Sequence, residues 1–199
     1  PAYSDAAERD ALSVRARKGE YADLARRLGE LVRTRHSLQR RAGDFAAILH
    51  EVAGEARPRP IVDFYPDYSN GNPFQTLLYR ALTPEVATLV PVTDVVTDPL
   101  SRDPGGDLHG RVLHLHWLDR VVQEAGRLDL AIERLDAFRR VILDLKSRGV
   151  RVVWTVHNVL PHQVRYYFLE LQLCQFVAEQ ADAIHVMAGN TAALAASYF

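Results

Sequence analysis

Two histidines and a tryptophan stand together in Leu113-His114-Leu115-His116-Trp117, and a second imidazole group follows in Val156-His157-Asn158, with Pro161-His162 just beyond. Imidazole exchanges protons near neutral pH and donates to hydroxyl or phosphate oxygens, so this spacing suits acid–base work on a polar substrate. His157 leads the candidates for catalysis, followed by His116 and Asp119, with Asp67 a further possible base. Trp117 offers a flat face for a sugar or a base, and Asn158 and His162 add polar contacts. His114 shares a strand face with His116 because they are two residues apart. Like His185, it lies inside an apolar run and reads as a hydrogen-bonded core residue. A third group, Asn70-Gly71-Asn72, precedes Pro73; a glycine turn feeding a helix N-terminus favours an anion such as phosphate.

Other chemistries find less support. His-x-His is a metal-ligand spacing, but the barrel hydrolases that use it need ~250 residues, and no His-Glu-x-x-His is present. No metal site is expected. The single cysteine, Cys174, excludes an intrachain disulfide and a cysteine cage. Neither a Gly-x-Ser-x-Gly elbow, a Walker A loop nor a dinucleotide fingerprint occurs, so no tightly bound cofactor is expected.

These groups must be held by elements, and the sequence from residue 59 alternates between two periods. Ile61–Tyr65, Ala87–Val92, Val112–Trp117, Val152–Val156 and Ala183–Met187 are β-type runs. Between them lie helical patterns. One starts at Asn72-Pro73 (an N-cap residue, then proline at the first position). Another carries Leu128, Ile132, Leu135, Phe138, Ile142 and Leu145 and is closed by Lys146, Arg148 and Gly149. A third covers roughly residues 163–180. Alternation of this kind predicts an α/β fold, a doubly wound Rossmann-like parallel sheet, preceded here by a long N-terminal helical segment. Ligands of such sheets sit beyond the carboxyl ends of the strands, where the histidine groups and the glycine turn fall.

Residues 1–57 differ in kind. They are rich in Ala, Arg, Leu and Glu, and basic residues outnumber acidic ones, whereas the opposite holds after residue 60. Arg57-Pro58-Arg59-Pro60 cannot continue a helix, so the predicted domains are a helical extension over 1–57 and a Rossmann-like domain over 58–199. Tyr21, Leu28, Arg35, Ala42 and Leu49 alternate with Leu24, Leu31, Leu38, Phe45 and Val52 at heptad spacing; Arg35 alone breaks the seam. The stripe suits either packing on its own domain or a homo-oligomer through residues 21–52. Arg26, Arg27, Arg33, Arg35, Arg40 and Arg41 face only Glu30, the charge pattern of a solvated face or of contact with anionic lipid.

The chain has 199 residues, is 48% hydrophobic and 25% charged, and carries a net charge of −1. That balance fits a globular protein and gives no bulk attraction to nucleic acid. No apolar stretch approaches the ~20 residues of a membrane span, and Pro1–Asp10 lacks a signal-peptide core. A cytoplasmic location is expected, with a peripheral position at the inner membrane face as the further option.

Four motifs in order, Asn-Gly-Asn-Pro-Phe, Leu-His-Leu-His-Trp-Leu, Thr-Val-His-Asn-Val-Leu-Pro-His and Ala-Asp-Ala-Ile-His-Val-Met, resemble the N-terminal domain of GT-B-fold glycosyltransferases of the bacterial exopolysaccharide type. The resemblance covers about residues 59–199. It implies an acceptor-binding domain that faces a C-terminal donor-binding domain across a cleft, with a nucleotide diphosphate sugar as the donor substrate. The acceptor it implies is a saccharide, in this family lipid-linked. By motif, Gly71 and its neighbours would approach the donor phosphates, His157 the transferred sugar, and His116 and Trp117 the acceptor. Gln163 stands where many relatives have Glu. The chain stops at Phe199, where the linker to the second domain would begin, so the expectation is half of a larger enzyme, inactive by itself. A non-catalytic oligomeric module is the alternative.

Overall fold

The computed structural model describes residues 22, 26, 27, 30, 38–54, 59–82, 85–97, 108–161, 163–187 and 190–198. The chain separates into two compact units, Pro1–Arg41 and Ala42–Phe199. Helix α1 spans Leu38–Ala53. It is followed by β1 (Ile61–Tyr65), α2 (Pro73–Ala81), β2 (Thr88–Pro91), β3 (Arg111–Leu115) and α3 (Asp119–Val122). The remaining elements are α4 (Leu128–Ser147), β4 (Arg151–Val156), α5 (Tyr167–Gln180), β5 (Ala183–Val186) and α6 (Thr191–Ala195).

All strand pairs are parallel, in the order β2-β1-β3-β4-β5. The α/β, Rossmann-like sheet expected from the alternation is therefore present. Its helices fall on both faces because the chain reverses direction across the sheet after β2. One face carries Val62, Phe64, Val112 and Val153, covered by α2 and by Phe45, Leu49 and Ala53 of α1. The other carries Leu113, Leu115, Val152, Trp154 and Val156, covered by α4 and α5 through Phe138, Ile142, Leu145 and Leu173. The order places the reversal between β1 and β3, where parallel sheets of this kind open a crevice for ligands.

Two details separate the structure from the sequence reading. The unit that holds the sheet starts at Ala42, whereas the composition break lies at Arg57–Pro60. Ala42, Phe45 and Leu49, three successive seam positions, are buried in this unit, so that part of the heptad stripe is satisfied within the chain. The seam positions before Leu38, and Arg33 and Arg35 of the basic stretch, lie outside the described residues. The third strand also ends earlier than expected, at Leu115 opposite Tyr65. His116 and Trp117 follow it, although the His116 N–H still donates to the Tyr65 carbonyl at 2.8 Å.

Helix α4 ends as its signals predict. Gly149 has φ +94°, the Val150 N–H donates to Leu145 O at 3.0 Å, and the Gly149 N–H donates to Lys146 O at 3.0 Å. This paired closure needs the left-handed region that glycine enters at least cost. A Cβ there would also meet the His109 ring at 2.6 Å. Among the described residues no helix is long and apolar enough to cross a membrane.

Candidate functional site

The loop after β1 is built by its own side chains. It leaves the strand through a cis Tyr65–Pro66 peptide. Gln75, wholly buried in α2, donates to Pro66 O at 2.7 Å and accepts from the Tyr68 N–H at 2.7 Å. Thr76 donates to Ser69 O at 2.6 Å. Asn72 caps α2 by accepting from the Phe74 N–H at 2.9 Å. Replacing this cap, Asn72→Ala, should cost about 1 kcal/mol in chemical denaturation.

The same stitching bears on the expected anion contact. The N–H groups of Gly71 and Asn72 both donate to Tyr68 O, at 2.9 and 2.7 Å. The Phe74 N–H is held by the cap. These donors already have partners inside the loop. A Cβ at Gly71 would meet nothing within 4 Å, so no close approach requires the glycine. Asn70 and Gly71 line an open groove with Ser69 and Thr76. Asn72 lines both that groove and the main cleft, so loop and cleft share one rim of the sheet.

That cleft has a volume of about 300 Å³ and lies at the carboxyl ends of β3 and β4. It is lined by His116, Trp117, Asp119, Trp154, His157, Asn158, Glu170 and Cys174 among others. His157 is held on three sides. Trp117 stacks on it with ring centroids 3.9 Å apart and planes at 15°. Phe74 meets it edge-on at 4.7 Å. Its Nε2 is 2.9 Å from Nδ1 of His116. Its other nitrogen, Nδ1, is the one left to meet a ligand. One face of Trp117, expected as a platform, is thus occupied by His157.

Behind His157 the hydrogen bonds continue into the core. His116 Nε2 is 2.6 Å from the Tyr79 hydroxyl, which is 2.7 Å from His114 Nδ1. His114 Nε2 is 2.7 Å from Thr155 Oγ1, which is 3.1 Å from His185 Nδ1. The order follows from pleat and register. His114 and His116 project to one face, Thr155 and His157 do the same on the next strand, and Thr155 pairs with His185 on β5. Phe45 of α1 lies against His114 at 4.3 Å and so helps to seal the chain from solvent.

Burial sets the charges. His114 is 0% and His116 2% exposed; desolvation, then the neighbouring imidazoles, hold both rings well below the ordinary histidine range. His157 is lowered to about 4, first by burial and then by His185. Burial, with a smaller contribution from Asp67, raises the Tyr79 hydroxyl well above its usual value. At pH 7 His114, His116 and His157 are neutral and Tyr79 is un-ionised. His116 has both nitrogens engaged, so it meets a substrate proton only through His157.

Two carboxyl groups also line the cleft. Asp119 has a buried Oδ1 with no hydrogen-bond partner, and burial raises its pKa. Glu170, 2% exposed, is also raised by burial, opposed by the hydrogen bond from Gln123 Nε2 at 2.7 Å. The Gln123 Oε1 accepts from the backbone N–H groups of Arg165 and Tyr166 at 2.6 and 3.0 Å. One amide therefore ties the end of α3 to the start of α5. Asn158 lines the cleft, while His162 lies outside the described residues. Asp67 accepts from the Ser69 N–H at 2.9 Å and serves the turn.

Sequence reasoning missed Tyr79, Thr155, Phe74 and Glu170. Two carried a signal. Glu170 lies on the stripe Glu170, Leu173, Cys174, Val177 that α5 buries, and an acid on an apolar face calls for a partner. Tyr79 is buried beside Leu78, and a buried phenol likewise needs one. Among the described residues no three His, Cys, Asp or Glu side chains form a metal-binding group. Compared with protein-family models, with curated proteins and with solved structures, the chain matches none.

Proposed function

We propose that this domain binds the acceptor of a nucleotide-sugar-dependent glycosyltransferase and supplies the group that takes the acceptor's proton. The observation that carries the reading is a neutral imidazole, His157, fixed between Trp117 and Phe74 with one nitrogen toward a cleft at the carboxyl ends of β3 and β4 in a parallel sheet. Its lowered pKa keeps the ring unprotonated at neutral pH, so it meets the acceptor hydroxyl as a free base, a weaker one than an ordinary imidazole.

The chemistry runs as follows for an inverting transfer. An acceptor hydroxyl in the cleft gives its proton to His157 Nδ1. Its oxygen forms a bond to the anomeric carbon of the donor, and the bond from that carbon to the diphosphate breaks, with the electron pair leaving on the nucleoside diphosphate. Asp119 Oδ1 accepts a hydrogen bond from a second sugar hydroxyl, which would give its buried lone pair a partner. The donor is held by a second domain, and the acceptor is a saccharide, lipid-linked in the family that the motifs resemble.

Binding to this chain tests the reading without requiring turnover. Titration with oligosaccharides should shift the indole N–H resonances of Trp117 and Trp154. His157→Ala and Asp119→Asn should each weaken binding about tenfold, which is about 1.4 kcal/mol. No response of either indole to any saccharide or nucleotide sugar at millimolar concentration removes the proposal. The oligomeric-module alternative has less to stand on, since Ala42, Phe45 and Leu49 of the seam are buried within their own unit.

A further inference from the structure

The hydrogen-bonded chain contains a constraint on where its protons lie. Tyr79 has one proton and two imidazole neighbours, His116 Nε2 and His114 Nδ1. It donates to one and must accept from the other. A neutral imidazole has one N–H and one bare nitrogen, so each choice passes through the ring to its far side. Thr155, with one proton between His114 Nε2 and His185 Nδ1, applies the same rule. Taken with one N–H per ring, His185 included, only two arrangements satisfy every link. In one, all the donors point from His157 toward His185 and all four rings carry the proton on Nε2. In the other, all point outward and all four carry it on Nδ1. No mixed arrangement satisfies both hydroxyls.

The two arrangements are not equivalent. A neutral histidine side chain intrinsically prefers the Nε2–H form, and here four such preferences add with the same sign. We propose that Tyr79 and Thr155 are positioning residues that lock the four histidines in the Nε2–H form, so that the nitrogen of His157 facing the cleft is bare. His116 donates to Tyr79, Tyr79 to His114, His114 to Thr155 and Thr155 to His185. The use of the lock, presenting a proton acceptor to a substrate hydroxyl, rests on the function proposed above; the lock itself rests only on the hydrogen-bond geometry.

Removal of either hydroxyl gives a site-specific outcome, and the two differ at His114. In Tyr79→Phe the Nε2–H of His116 loses its acceptor inside the core. Moving that proton to Nδ1 restores a bond, now donated to His157 Nε2, and His157 turns to Nδ1–H. His114 merely loses a donor and keeps its bond to Thr155. In Thr155→Val the ring without an acceptor is His114, so the reversal runs through Tyr79 to His116 and His157. Thus a methyl-for-hydroxyl change near the carboxyl end of β4 would reset the proton at the cleft.

Long-range 1H–15N spectra of the protein labelled with 15N-histidine read which ring nitrogen is protonated, and His157→Gln assigns the His157 signals. The wild type at pH 7.5 should show bare Nδ1 at His114, His116, His157 and His185. Tyr79→Phe should invert His116 and His157 only, and Thr155→Val should invert His114, His116 and His157. A protonated Nδ1 at His157 in the wild type overturns the lock, as do variants that leave every ring unchanged. The wild-type spectrum decides the direction even where a variant does not fold. Because no substrate is needed, the two proposals fail separately. A bare Nδ1 in a protein that binds no saccharide keeps the lock and removes its use; a protonated one in a protein that binds saccharide does the reverse.

Discussion

Acidification from pH 6.5 to 4 should strip the domain of much of its stability. His157 is lowered from 6.5 to about 4 in the fold, and His114 and His116 are lowered as well. Above pH 6.5 the ring is neutral in both folded and unfolded chains, and its full contribution is present. Below 6.5 the unfolded chain takes up a proton that the folded site refuses until about pH 4, so stability falls across that window. His157 alone accounts for about 3 kcal/mol. The other two rings add in the same direction. Asp119 and Glu170, raised by burial, work the other way, since the folded state keeps a proton that the unfolded chain releases, and they reduce the slope. Urea midpoints measured from pH 7.5 to 4.5 should drop steeply, and His157→Gln should flatten the curve. A flat wild-type profile would show that the rings are charged in the fold.

Arg111→Leu should be the most damaging single change remote from the cleft. Asp63 sits on β1, flanked by β2 and β3, and is 1% exposed. Arg111 Nε donates to its Oδ2 at 2.9 Å and Nη2 to its Oδ1 at 2.5 Å, a two-pronged bridge between neighbouring strands. Removing the guanidinium strips the buried carboxylate of both charge-assisted hydrogen bonds from Arg111, at a cost of about 3–5 kcal/mol. Against a total of about 5–15 kcal/mol that change approaches unfolding. Asp63→Leu combined with Arg111→Leu should recover most of the loss, because the carboxylate that Arg111 served is then no longer there to be desolvated. Denaturant midpoints with an unchanged m value would establish the comparison; a double variant as unstable as the single one would refute it.

The sheet was legible because parallel strands buried on both faces are written in near-continuous apolar runs, and Val112–Leu115 and Val152–Val156 have no other reading. The rim was legible for the same reason, since polar residues at such a run's carboxyl end have few packing roles. The proton chain was not. Periodicity puts Tyr79 on a helix without saying that two histidines await its hydroxyl, and Thr155 reads as an ordinary β-branched strand residue. His116 was expected beside a ligand; it lines the cleft but is wedged between Tyr79 and His157. A heptad stripe cannot state its partner either, and Phe45 of α1 lies against His114 and His185. Gly71 invited an anion by residue type, yet the turn consumes its N–H. Gly71 apart, the deciding fact is a contact between residues far apart in the chain.

The Gln123 amide, bonded at once to Glu170 and to the backbone of Arg165 and Tyr166, makes the two banks of the cleft a single piece. Such a slot has a set gauge before anything enters it. Guests are sorted by girth, and those that fit are spared the entropy of arranging a wall around themselves.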